Sequence, residues 1–493
     1  MSASGQLSSY SRHLRWLDVS TPQPSRPGMR ATAPPQDPFA FPPSETNWHD
    51  HAVMLLHIAA EIEHALMVEY LFAAYSLGGP QVPPQHQMPV RRWQEVILGV
   101  AKEEMGHLIT VQNVLTLLGA PINLRRTDYS WTIDFYPFRF TLERLAPDTL
   151  ATFVCAESPA KWMHPSAPLI RRLAKVEARH VVNRVGILYG RLVKLLARRD
   201  LLPDSVFDAG TKPYQATFDV WGRGYRSGQR GQQAGNVART LLPEVLIYAV
   251  DSRESAVNAL SEVGEQGEAV DSDLPVHTPS GGRRAPDEED SHFVRFSTIF
   301  RQLYQLPPRH RQLVARPVGP NPSTAYQPDS AESDSTWISH KEARMWSHLF
   351  NLRYRMLLVN LSHAYRLPDP ADQGPTAKGS LVNRTFGEMY NLRAIAGQLV
   401  QLPADAGRRS GLHAGPPFEM PYTLELPDRE KERWLLHQDL LEAARNLVVR
   451  LQAHARGEAA DYLNALANSD QIAGQQIDRM LATRTRAEPV GAR

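Results

Sequence analysis

Residues 97–118 read ILGVAKEEMGHLITVQNVLTLL. Ile97, Val100, Leu108, Val111, Leu115 and Leu118 recur at helical spacing and define one apolar stripe. Glu104 and His107 fall inside that stripe. Their i, i+3 spacing puts both side chains on one face, one turn apart. A carboxylate on a buried face is costly unless it is paired, protonated or bound to a metal. The helix is expected from about Val90, and Gly119-Ala120-Pro121 closes it.

The same anomaly recurs on either side. Residues 48–78 predict a long helix whose stripe is Leu56, Ala59, Ala60, Met67, Tyr70, Leu71 and Ala74, with Glu63 inside it. Gly78-Gly79-Pro80 ends that helix. A third helix is expected over 167–198, striped by Ile170, Leu173, Val185, Leu188 and Leu192, with Glu177 and His180 again at i and i+3. A fourth is expected over 243–264. One Glu from one helix and Glu-x-x-His from others is how helical bundles build two-metal carboxylate sites. The fold class is therefore read as mainly α, a ferritin-like four-helix bundle with an additional C-terminal helical region. The competing reading of the same acids is a set of buried salt bridges, with Arg184 one turn after His180 as a partner.

Other acids carry less. Glu61 and His64 are also Glu-x-x-His but lie on a different face of the first helix, and Glu69 sits near its end. These are read as solvent-facing or as supports rather than ligands. His292 leads the apolar series Phe293, Phe296, Ile299 and Phe300, so it faces inward, while Glu289 stands at an exposed helix start.

Organisation follows from composition. Residues 1–45, rich in Ser and Pro, read as an extended arm. Residues 46–305 read as the metal-binding bundle, with an irregular aromatic excursion over 122–165. A Pro-rich linker is placed at 306–335. A C-terminal helical region follows at 336–470, with helices expected near 337–365, 380–402 and 428–467, then a charged tail at 471–493.

The chain has 493 residues, a net charge of +2 and 42% hydrophobic residues. Its charges are mixed, which argues against a nucleic-acid or polybasic membrane surface. The single cysteine, Cys155, forbids an internal disulfide and excludes zinc ribbons and iron–sulfur clusters built from this chain alone. It is read as a buried small apolar residue rather than a nucleophile. No apolar run approaches the roughly 20 residues needed to span a bilayer, and no secretory h-region follows Arg12, His13 and Arg15. A cytoplasmic protein is expected.

These segments resemble a known family. The first helix carries Glu63-His64-Ala65, Tyr70-Leu71 and Ala74-Tyr75-Ser76-Leu77. The second carries Glu103-Glu104-Met105-Gly106-His107, Asn113 and Leu118-Gly119-Ala120-Pro121. Further on come Phe153-Val154-Cys155-Ala156-Glu157-Ser158-Pro159, Val185-Gly186-Ile187-Leu188-Tyr189, Gln266-Gly267-Glu268, Ser291-His292-Phe293 and Ala414-Gly415-Pro416-Pro417-Phe418-Glu419. Their order over about 50–420 is similar to the iminophenyl-pyruvate dimer synthases of the violacein and rebeccamycin pathways. The resemblance implies a metal role for Glu63, Glu104, His107, Glu268 and His292; placement adds Glu177 and His180. That set exceeds what one site needs, and spacing does not rank Glu177 against Glu268. Glu69 replaces a usual proline and Ile187 a usual polar residue, so fold and metal site carry over further than the coupling reaction.

The expected function is a non-haem di-iron oxidase or oxygenase that uses O2 and a small, amino-acid-derived substrate in specialised metabolism. Two iron ions are the expected cofactor, with haem a weaker fit. Trp131, Tyr136, Phe138 and Trp162 are candidate pocket aromatics, or core beneath a loop. The alternatives are an imine-dimerising synthase and a non-catalytic ferritin-like binding protein. Long amphipathic helices are also compatible with a homo-oligomer.

Overall fold

The computed structural model describes residues 47–131, 138–159, 162, 164–176, 184–216, 247–266, 291–326, 334–368 and 376–485. Two long helices begin it, α1 (Trp48–Ser76) and α2 (Gln87–Leu117). Asn47 caps α1, its side chain accepting from the N–H groups of His49 at 3.1 Å and Asp50 at 3.3 Å. Gly78 and Gly79, at φ 83° and 112°, turn the chain out of α1 in a conformation L-residues avoid. α2 stops at Gly119, φ 68°, where Ala120 N–H returns to Leu115 O.

The expected aromatic excursion contains a helix, α3 (Pro147–Ala156), too short to show a clear period. The expected third helix is interrupted. α4 (Ala167–Leu173) ends where Lys175 takes φ 57°, and α5 (Arg184–Ala197) follows beyond residues that are not described. The fourth begins at Arg253 rather than 243, as α6 (Arg253–Gln266). α7 (His292–Gln305) carries the predicted inward series and is capped by Ser291. α1 pairs with α2 and α5 with α6, while α1 meets α5 and α2 meets α6. That closes a four-helix bundle. α3 and α7 pack together at its side.

A second helical body follows a parallel bridge of two-residue strands, Pro322–Ser323 and Thr336–Trp337. It comprises α8 (Lys341–Ala364), α9 (Ala377–Leu399), α10 (Glu430–Gln452) and α11 (Glu458–Thr485). The helix expected over 428–467 is thus two, and α11 runs through residues assigned above to the tail. Gly457, at φ 55°, sits just before α11 in the connection that splits them.

The second body lies against the back of the first. Tyr365 O–H donates to Ile109 O at 3.1 Å and to Asn113 Oδ1 at 3.0 Å. Tyr354 meets His64 Nε2, and the buried Arg126 guanidinium donates to Tyr354 and to Phe418 O. Gly415 sits against Phe72 so closely that a Cβ there would stand 2.9 Å from the ring. α1 is therefore packed against both bodies. It is long and apolar enough by composition to cross a membrane, contrary to the sequence reading, but 72% of that stretch is buried within the fold. An apolar helix wrapped by protein is the pattern of a core helix.

In the second body His363 Nδ1 and His437 Nε2 lie 3.0 Å apart, next to Trp434. Burial, then the charges of Arg384 and His363, hold His437 well below the usual imidazole range. Folded His437 stays neutral, while the unfolded chain gains a proton there below about pH 6.5. The unfolded state then binds more protons, so stability falls as pH drops from that value toward the folded pKa. Urea unfolding at pH 7 and pH 5 should show a loss that His437→Leu reduces by about 2 kcal/mol. An equal loss in wild type and variant would contradict this assignment.

Candidate metal centre

Four helices deliver the site. α1 supplies Glu63, α2 supplies Glu104 and His107, the C-terminal cap of α3 supplies Glu157, and the first residue of α7 is His292. All five are buried. Donor atoms of Glu63, Glu104 and His107 lie within 4.8 Å of one another, and so do those of Glu104, Glu157 and His292. Glu104 belongs to both groups. Its Oε2 faces His107 Nδ1 at 3.1 Å and its Oε1 faces His292 Nδ1 at 2.9 Å. Glu63 Oε2 stands 3.4 Å from His107 Nδ1, and Glu157 Oε2 stands 3.8 Å from His292 Nδ1. The two rings lie 5.5 Å apart, nearly parallel.

These atoms converge on one enclosed space. Glu63 Oε2 and His292 Nδ1 are buried without an aligned hydrogen bond, with His107 Nδ1 at 3.4 Å from the first and Glu104 Oε1 at 2.9 Å from the second. Such atoms are rare in folded proteins and call for an occupant. A cavity of about 20 Å³ opens among them, walled on its apolar side by Leu66, Val185 and Val263. Three carboxylates and two imidazoles suit iron or manganese. The residues therefore fit a carboxylate–histidine metal centre, with Glu104 common to both donor groups.

The electrostatics agree. Burial, then the Glu104 charge, pushes the Glu63 carboxyl up to about 8. Burial would lower His107, but the Glu104 and Glu63 carboxylates beside its ring raise it to about 10. His292 is likewise raised, against burial, by Glu104 and Glu103. Glu104 is held well below its usual range, again against burial, by His292 and His107. Without a metal, protons on the imidazoles balance the buried carboxylates, and a bound cation would take over that role.

Tyrosines hold the outer carboxylates. Tyr189 O–H donates to Glu63 Oε1 at 2.7 Å, and Tyr70 O–H donates to Glu157 Oε1. Of the residues singled out in the sequence, Glu63, Glu104, His107 and His292 meet here. Glu177, His180 and Glu268 lie outside the described residues, as do Glu289 and Tyr136. Glu157 was not singled out as a ligand. Its signals in the sequence are an acid directly after the apolar run Phe153-Val154-Cys155-Ala156 and a place in one of the segments that resemble the dimer synthases.

The other candidates are placed elsewhere. Glu61 and Glu69 are buried, not solvent-facing, and accept from Thr127 and Thr141. Trp131 is core, stacked on Phe140 at 4.1 Å between ring centres. Trp162 packs edge-on against Phe293, and neither these two tryptophans nor Phe138 lines the cavity. Burial pushes the Cys155 thiol up to about 12, which suits a packed apolar residue and not a nucleophile.

Comparison with known proteins agrees with this architecture. Residues 56–301 match the family described as Ferritin-like, and the chain belongs to that family. It is also 27% identical over 402 residues to dichlorochromopyrrolate synthase of Lentzea aerocolonigenes, a stretch covering 75% of this chain. The chain spans about a third, 36%, of that relative's length. No solved structure matches the chain.

Proposed function

We propose that this chain is a non-haem di-iron oxidase of ferritin-like type, acting on a small, amino-acid-derived metabolite. The observation that carries the reading is the placement of Glu104, one oxygen toward each histidine, with Glu63 and Glu157 flanking it. Iron held there would supply the capacity to bind and reduce O2. The chain's own residues do the rest. Glu63, Glu104 and Glu157 offer carboxylates that can shift between binding modes. Tyr189 and Tyr70 hold the outer two in place, and Leu66, Val185 and Val263 keep bulk water from the apolar side.

The full chain, purified and loaded anaerobically with Fe(II), is expected to hold two irons. Air should then produce a near-ultraviolet band. Metal-free protein after loading, or a Soret band, would sink the proposal. A second reading rests on the similarity to dichlorochromopyrrolate synthase: an enzyme that couples two oxidised substrate molecules. Mass spectrometry of products from candidate amino acids separates the readings, since coupling doubles the substrate skeleton and simple oxidation does not.

A further inference from the structure

The groups behind the two histidines differ. His107 turns Nδ1 into the cavity and Nε2 toward the Gln266 side-chain oxygen at 2.7 Å. His292 also turns Nδ1 inward, but its Nε2 meets the Glu103 carboxylate at 2.8 Å. Arg295, one turn beyond His292 on α7, grips Glu103 with both terminal nitrogens, one of them at 2.9 Å. An acceptor at Nε2 keeps the hydrogen there and leaves the Nδ1 lone pair for an ion. Its charge decides how much electron density the ring can offer. A carboxylate makes the imidazole a stronger donor, whereas an amide oxygen orients the ring without adding charge. Glu103 stands between the ring and the guanidinium, so the nearer charge met by His292 is negative.

The outer carboxylates, by contrast, are supported alike. Each outer carboxylate accepts one tyrosine O–H, so Tyr189 on Glu63 and Tyr70 on Glu157 offset each other in the comparison. Glu104 gives one oxygen to each side. Among the described residues, the difference lies at Glu103 and Gln266.

We propose that the two metal positions are unequal by design of these supports. The position formed by Glu104, Glu157 and His292 fills first and holds its ion more tightly. The position formed by Glu63, Glu104 and His107 fills second. Glu103, anchored by Arg295, is the positioning residue that sets this order. The proposal rests on the two-ion reading of the site, and its test separates failure of one from failure of the other.

The test titrates Co(II) into the metal-free full chain without oxygen, followed by calorimetry and visible absorption. Wild type should bind in two steps separated by about 10- to 100-fold in Kd. Glu103→Gln keeps an acceptor at the same place and should bring the steps within a few-fold. Gln266→Glu approaches from the other side, strengthening the weaker step, and it leaves the Glu103–Arg295 pair intact if Glu103→Gln folds poorly. His107→Ala should keep the tight step, and His292→Ala should lose it. Two equal steps in wild type would overturn the proposal while leaving a two-ion centre. So would separated steps unmoved by Gln266→Glu, or a tight step lost in His107→Ala and kept in His292→Ala. A folded chain that binds no Co(II) would overturn the two-ion reading itself.

Discussion

Glu104→Ala is expected to empty both halves of the centre. Glu104 is the residue common to the two ligand groups, and each of its oxygens faces a different histidine. Its removal takes a donor from both positions and the negative charge from between two imidazoles. Glu63→Ala and Glu157→Ala each touch one group, so each should leave one equivalent of metal bound. The affinity lost at both positions in Glu104→Ala should exceed the roughly 10- to 100-fold typical of losing an outer-sphere partner. Metal analysis of the three folded variants beside wild type checks this. Wild-type stoichiometry in Glu104→Ala would exclude a centre shared through this residue.

Arg353→Met should produce the largest loss of stability. Arg353, 1% exposed, lies on α8 and donates to Glu388 of α9 at 3.2 Å and to Asp470 of α11 at 2.8 Å. It ties three helices of the second body together. Methionine fills similar space but leaves two acids buried without their cation. Breaking a buried ion pair from one side costs about 3–5 kcal/mol. For a body of this size each kcal/mol lowers Tm by roughly 2–4 °C. Thermal unfolding followed by circular dichroism should therefore shift by roughly 10 °C, and adding Glu388→Gln and Asp470→Asn should recover much of it. A shift under about 2 °C would mean that the acids find other partners.

Long apolar stripes made α1 and α2 legible in the sequence, and with them the inward placement of Glu63, Glu104 and His107. His292 was legible because it leads the strongly one-sided series of α7. Glu157 was not, because α3 is ten residues long and its acid sits at the cap, where periodicity carries no weight. The break after α4 was hidden for a different reason. Lys175 has no chemical feature that announces a left-handed backbone, so apolar spacing ran straight through it. The burial of Glu61, His64 and Glu69 depends on docking against distant segments. His64 meets Tyr354, 290 positions away. No local pattern encodes that contact.

The wrapping of α1 also bears on where this chain can be divided. The ferritin-like match ends at residue 301, while the similarity to the synthase extends over 402 residues. A cut placed after the first bundle would strip Tyr354 from His64 and Gly415 from Phe72, leaving an oily flank on the helix that also bears Glu63. The stretch that matches the family and the stretch that covers α1 are then of different lengths, and the second body belongs to the covering.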